Sequence, residues 1–414
     1  MPSHVSACHR PLRHLLAPLL IAAASVSAQA QQPAQQSGEV LVGLAVSHTG
    51  FMSQFDVPNT NAVMMRIDEQ NAKGGLLGRQ IKTVVRDARS NVQEAARVGT
   101  EVTAMNPVLL AVTGTYDVGA ASALPAQAKK IITFSLSAAD PKMGTATGPY
   151  SFTANGAAQS EGILMAEWGF KTKGFKTAYM LEDLQLEYTR SACAGFQHGF
   201  RRVAGDAGFL GKDTFRNADP SIAAQITRIR ALPKQPDVIF ICTLPPGGPS
   251  AIRQIRAAGI DTPIMSVVAM GGGVSGWLGT VPNLSNVYLP SLMSLNGDDP
   301  RPEVRAFLAN YEKRFGAPPT AYIGFGYSFM DGWIKAVERA GSFDADKVLA
   351  EFHKFKDEPL LIGATTYSKD VHFQVNQPRV ILEIQNGKQS SLGVFRAEWI
   401  PPHELIYRIG QYAN

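Results

Sequence analysis

The stretch Val40–Arg89 constrains the fold more than any other part of the chain. It opens with the apolar run Val40–Val46, passes through a polar loop, Ser47–Asp56, and continues as a helix to Asn71-Ala-Lys-Gly-Gly75. Paired glycines supply the left-handed backbone that ends helices. A second strand-like run, Ile81–Val85, follows at once and closes on Arg86-Asp87. A strand buried on both faces shows no polar alternation, so this succession predicts a βαβ unit in a parallel sheet. Ligands of such sheets bind beyond the carboxyl ends of the strands, which makes Ser47–Asp56 the first loop to consider.

Ahead of that unit the chain carries a leader. Arg10 and Arg13 precede an apolar run, Leu15–Val26, which is too short to span a bilayer, and Ala28-Gln-Ala30 offers a small-x-small cleavage site. Residues 1–30 are therefore predicted to be a secretory signal peptide and residues 31–38 a Gln/Ala/Pro linker, delivering the product to the periplasm. The formal net charge of +5 is mild, and two of the positive charges lie in the leader, so nothing calls for nucleic acid or an anionic membrane as partner. Of three cysteines, Cys193 and Cys242 follow the leader. They can pair in an oxidising compartment; the expectation is two thiols buried separately.

A chain of 414 residues exceeds one comfortable core, which makes two domains the default. From Val40 to Asp140 the pattern of strand, loop and helix recurs four times, with exit loops Thr113–Gly119 and Ser135–Asp140. Around Phe152–Asn155 the chain crosses over, and the alternation restarts with strand Thr177–Leu181 and loop Glu182–Tyr188. Pro263–Met270 reads as a strand, Val287–Leu292 as a strand returning towards the first half, and Pro319–Ala340 as a long helix. Short strands with a hairpin turn at Asn386-Gly387 close the chain. The fold class expected is α/β, with two Rossmann-like lobes, each a parallel sheet flanked by helices. The first lobe is residues 39–153 plus 290–364, the second 154–289 plus 365–400, and 401–414 form a tail.

Several blocks are similar to the periplasmic leucine/isoleucine/valine-binding proteins, the solute receptors of branched-chain amino-acid importers of the ATP-driven (ABC) class. They are Asn71–Gly75, Glu182-Asp183 through Tyr188, Ala321-Tyr-Ile-Gly-Phe-Gly-Tyr327 leading into Ala336–Ser342, and Lys369–Phe373. The resemblance covers nearly the whole chain after the leader. It implies a type I periplasmic binding fold whose lobes, joined by three crossings, close like a hinge on a small carboxylate-bearing solute. The implied partners are the membrane permease subunits. No cofactor, metal or catalytic residue is implied, and the protein is expected to be a monomer.

The ligand groups implied fall on the exit loops. Phe55 matches the family's first-loop aromatic. Thr115, Tyr116 and Asp117, with Ser135, Ser137 and Ala138, correspond to the grip on the α-carboxylate, where hydroxyls and helix-start N–H groups suit an anion. Tyr188 and Tyr322 match tyrosines of the second lobe and the rim; each of these aromatics can equally be core packing. Where the family places a carboxylate against the ligand's ammonium, this chain has Val268. Either Asp117, Asp183 or Glu187 replaces it, or the ligand is an acid without the α-amine, which is the expectation here.

Two rival readings have less support. Gly271–Gly276 satisfies GxGxxG, but Gly279 and Pro282 break the helix that a dinucleotide site needs, so a flexible cleft loop is expected. His48 could serve a hydrolase, but no nucleophile elbow or metal-binding motif accompanies it. A periplasmic sensor on the same fold is the remaining alternative.

Overall fold

The structure is a computed structural model and describes residues 38–406, 408 and 409. The predicted signal peptide and nearly all of the linker lie outside the described residues. The first half runs β1 (Glu39–Val46), α1 (Ser53–Ala72), β2 (Gln80–Asp87), α2 (Val92–Ala104), β3 (Leu109–Val112), α3 (Tyr116–Gln127), β4 (Ile132–Ser135), α4 (Lys142–Thr145) and β5 (Ser151–Thr153). The second continues as α5 (Ala158–Lys171), β6 (Ala178–Asp183), α6 (Glu187–Ala204), β7 (Phe209–Phe215), α7 (Ala223–Arg230), β8 (Val238–Cys242), α8 (Gly247–Ala257), β9 (Ile264–Ser266) and α9 (Val268–Gly271). After β10 (Val287–Ser291) come α10 (Pro302–Phe315), α11 (Ile323–Ala340) and α12 (Ala345–Phe352). A small hairpin, β11 (Glu358–Leu360) and β12 (Gly363–Thr365), precedes β13 (Arg379–Gln385), β14 (Lys388–Phe395) and α13 (His403–Ile406).

Two sheets result. The first has the order β2-β1-β3-β4-β5, every pair parallel. The second has the order β14-β13-β10-β9-β8-β6-β7, parallel except where β13 pairs antiparallel with β10 and β14. Central strands such as β3, β4 and β8 are buried along their whole length, as strands covered by helices on both faces must be. The Asn386-Gly387 turn joins β13 to β14 with both residues at positive φ, as the sequence predicts.

Several local expectations change. Helix α1 starts at Ser53, so Phe55 and Asp56 sit in its first turn, capped by Met52 carbonyl contacts from both amides at 2.9 Å. Phe152, expected in the crossing, lies in a fifth parallel strand, β5, paired with β4, so the crossing follows Thr153. The run Pro263–Met270 is a three-residue strand followed by a short helix, and Val268 heads that helix. The long helix begins at Ile323, not Pro319.

The cysteine expectation is overturned. Cys193 and Cys242 form a disulfide, with Cα atoms 5.7 Å apart. Both are fully buried, one on α6 and one at the end of β8, and α6 lies across the strands β6 and β8 that pair side by side. Separation of 49 residues in sequence hid a proximity that only the sheet order creates.

Candidate functional site

The loops at the carboxyl ends of the strands meet in a narrow cavity of about 420 Å³. One side is built by α1 (Met52, Phe55), the β3 exit (Gly114, Thr115, Tyr116) and the β4 exit (Ser137, Ala139, Asp140). The other carries Leu186 and Tyr188 from the β6 exit, Leu244 after β8 and Ala269 on α9. Tyr322, just before α11, completes it.

The first wall is tightly knitted. Asp56 is fully buried, and its carboxylate accepts from the amides of Ser47 and Gly114, each at 3.0 Å, tying the β1 exit to the β3 exit. Burial pushes its pKa up to about 7 against the pull of those bonds. Gly114 has to be glycine, since a Cβ there would come within 2.2 Å of Ser137 Oγ and 2.8 Å of Asp56 Oδ1. Helix α3 starts at Tyr116, and its first internal bond is Gly119 N–H to Thr115 C=O at 2.7 Å. The amides just before Gly119 are the helix's unpaired donors and face the same end as the cavity.

The second wall is aromatic and apolar in front, ionic behind. Tyr188 hydroxyl donates to Glu161 Oε1 at 3.0 Å and accepts from the Ala269 amide at 3.2 Å. The same Glu161 oxygen accepts from the Val268 amide at 2.5 Å. Glu161 is buried and its pKa is pushed up to about 7, chiefly by that burial, with Arg379 and the two hydrogen bonds opposing. Phe55 and Tyr322 rings lie 4.9 Å apart and tilted.

The crossings lie directly behind. Buried Arg379 donates to Asn155 Oδ1 at 2.8 Å and to Gln377 Oε1 at 2.5 Å, so it ties the first crossing to the last. Asn155 in turn donates to the Ser137 carbonyl at 2.8 Å, which joins this hinge region to the cavity wall. At the rim, Lys142 of the first half pairs with Glu187 of the second at 3.1 Å.

Of the residues expected at a ligand site, Phe55, Thr115, Tyr116, Ser137, Tyr188 and Tyr322 come together on the cavity wall. Asp117, Ser135, Ala138 and Val268 do not. Asp117 accepts from Thr115 Oγ1 on α3, Ser135 donates to the Thr113 carbonyl, and Ala138 gives its amide to Ser135. Val268 is packed in the core and offers only its amide, to Glu161. None of the three acids expected to replace the missing carboxylate lines the cavity. Asp183 is occupied by Gln185, Asn217 and Thr243, Asp117 by Thr115, and Glu187 by Lys142 and Arg190. Sequence reasoning passed over Asp56, Asp140 and Glu161. A glutamate in a helix's first turn reads as a dipole partner and an Asp-Pro pair as a turn, so their sequence contexts carried no signal of burial.

His48 stands exposed at the outer rim, where its backbone amide donates to Asp87. The Gly271–Gly276 run ends α9 and makes the turn after it, and Gly273 and Gly276 line the outer mouth together with His48 and Trp277. Among the described residues, no group of three or more histidines, cysteines or acids is placed to hold a metal, and no helix is long and apolar enough to cross a membrane.

Two α/β sheets joined by repeated crossings, with a cavity between their strand ends, define a two-lobed solute-binding protein. The sequence profile described as periplasmic binding protein matches residues 39–389, and the chain belongs to that family. A Pseudomonas aeruginosa protein described as an amino acid binding protein is 22% identical over 366 residues, 86% of this chain and 92% of the relative. The fold is similar to that of the branched-chain amino acid transporter substrate-binding protein LivJ from Streptococcus pneumoniae, solved with isoleucine. That match has a TM-score of 0.76 at 22% identity and covers 86% of this chain and 99% of the other. A solute-binding protein of an ABC transporter from R. palustris, solved with benzoate, matches with a TM-score of 0.72 at 19% identity, over 89% and 98% of the two chains. Family membership sets the working location outside the cytoplasm, where a disulfide persists.

Proposed function

We propose that the protein is the receptor of an ABC importer, capturing a small carboxylate-bearing solute by closure of its two lobes and handing it to membrane permease subunits. The lobes are taken as residues 39–153 with 290–364 and 154–289 with 365–400. The observation that carries this reading is a cavity walled from both sides, with helix-start amides beside Phe55 and Tyr116 on one and Leu186, Tyr188 and Leu244 on the other. An anion suits the first wall, through the α3 amides. An aliphatic or aromatic body suits Phe55, Tyr188, Leu186 and Leu244. Relatives solved with isoleucine and with benzoate support both halves of that description. The solute is bound and released unchanged.

A thermal-shift screen of amino acids, 2-oxo acids and aromatic acids, followed by calorimetry on the hits, tests the ligand class. Small-angle scattering with and without the best hit tests closure, since contacts to both lobes favour the closed population. Compaction at saturation is expected; an unchanged radius would refute hinge closure, and a chemically altered ligand would refute simple binding.

A further inference from the structure

Asp140 is 3% exposed and stands on the cavity wall. Its Oδ1 accepts the Lys142 amide at 2.8 Å, the turn that an Asp-Pro pair ordinarily makes before a short helix. Its Oδ2 is buried and has no hydrogen-bond partner among the described residues. The turn needs one oxygen only, and a buried carboxylate oxygen left unpaired is costly. No lysine or arginine lines the cavity to neutralise it. Lys142, the nearest cation, gives its ammonium to Glu187 and lies over the Tyr116 ring.

From this geometry we infer that Asp140 Oδ2 receives a protonated amine of the bound solute, so that the ligand is an amino acid and not a plain acid. The inference rests on the solute-binding reading above and deepens it. It also reverses the expectation drawn from Val268: the carboxylate partner comes from the β4 exit on the opposite wall, while Glu161, near Val268, has its Oε1 engaged by the chain and, although its Oε2 is also unpaired, does not line the cavity. A zwitterion would then place its carboxylate at the α3 amides and its ammonium at Asp140, both on the first wall, leaving the side chain against the aromatic one.

Burial and the neighbouring charges of Glu187 and Asp117 push the Asp140 carboxyl up to about 6, with its bond to the Lys142 amide and the Lys142 charge opposing. An ammonium on Asp140 requires the ionised form, so amino-acid affinity should fall as the pH drops from 8 to 5. A plain acid held by a protonated Asp140 would show the opposite slope. Asp56 and Glu161 titrate nearby, Tyr116, Tyr188 and Tyr322 face the same space, and Lys142, Glu187 and Asp117 surround the group. The difference between wild type and Asp140→Asn at each pH isolates Asp140 from all of these.

The test is calorimetry of wild type and Asp140→Asn with leucine, phenylalanine and their skeletons without the amine, 4-methylpentanoate and 3-phenylpropanoate. At least one amino acid should bind wild type tenfold or more tighter than its deaminated partner, and Asp140→Asn should erase that preference. The inference is overturned, with the acid reading left standing, if the deaminated acids bind as well or better. It is also overturned if Asp140→Asn, shown folded by its melting curve, keeps the preference. Should the variant not fold, Asp140→Ser is measured in its place, with the same two outcomes. If none of the four compounds binds, the small-acid reading fails and this inference with it.

Discussion

The two lobes share an architecture but present opposite chemistry to the cavity. The first sheet is wholly parallel, and its wall sets serine, threonine, aspartate and helix-start amides beside the rings of Phe55 and Tyr116. The second is a mixed sheet, stapled by a disulfide, and its wall is apolar, with its carboxylate hidden behind Tyr188. The contrast assigns different work to each side. Directional bonds to a charged group belong on the first wall, whereas the second encloses the remainder of the solute and reports to the crossings through Glu161 and Arg379.

The largest expected effect bears on the stapled lobe. Replacing Cys193 and Cys242 by serine should cost about 4 kcal/mol, by the loop-closure estimate for a loop of this length. The melting temperature should fall by roughly 10 °C for lobes of this size. Calorimetry in and out of reductant checks it, and an unchanged melting point on reduction would mean that the bond contributes nothing.

Tyr188→Phe comes next. It removes the hydroxyl that donates to Glu161 and accepts from Ala269, bonds to a buried charge worth about 1.5–3 kcal/mol. Stability should fall by that amount, while Ser137→Ala on the first wall, losing a neutral bond, should cost only about 1 kcal/mol, both read from denaturant unfolding. Equal losses from both would erase the contrast between the walls.

The pH profile sharpens the contrast by a smaller amount. Asp56 on the first wall and Glu161 behind the second both have folded values near 7, above those of the free side chains. Between roughly pH 4 and 7 the folded protein holds protons that the unfolded chain has released, so the stability these groups contribute at low pH is lost as pH rises through 7. Asp87, Asp237 and Asp346 are shifted downwards and act in the opposite sense at lower pH. A melting point lower by a few degrees at pH 8 than at pH 5 is expected. Glu161→Gln should flatten that slope, and an unaltered slope would show that Glu161 does not titrate there.

Smallest is the rim pair. Lys142 and Glu187 are about a third exposed, so their bridge is worth less than about 1 kcal/mol and is screened by salt. Lys142→Ala should weaken binding by no more than about fivefold at low salt, and by nothing measurable at high salt. A larger loss, or one indifferent to salt, would place Lys142 among the residues that touch the solute.

The sequence by itself determined what depends on neighbours along the chain. Apolar runs such as Val40–Val46 and Ile81–Val85 marked strands, Asn386-Gly387 marked a hairpin, and the repeated βα pattern marked two lobes with loops at their strand ends. The resemblance to the leucine/isoleucine/valine-binding proteins nominated Phe55, Tyr188 and Tyr322, because their positions match that family's binding aromatics. Tertiary structure alone decided what depends on neighbours across the sheets. Sheet order brought Cys193 to Cys242, the crossing brought Arg379 to Asn155, and the close approach of two exit loops left Gly114 no room for a side chain. Burial made Asp56, Asp140 and Glu161 consequential, and burial of a carboxylate is set by what packs over it. Their partners come from distant segments, Val268 standing 107 positions from Glu161, so no local pattern encodes the cost, or the use, of their charge.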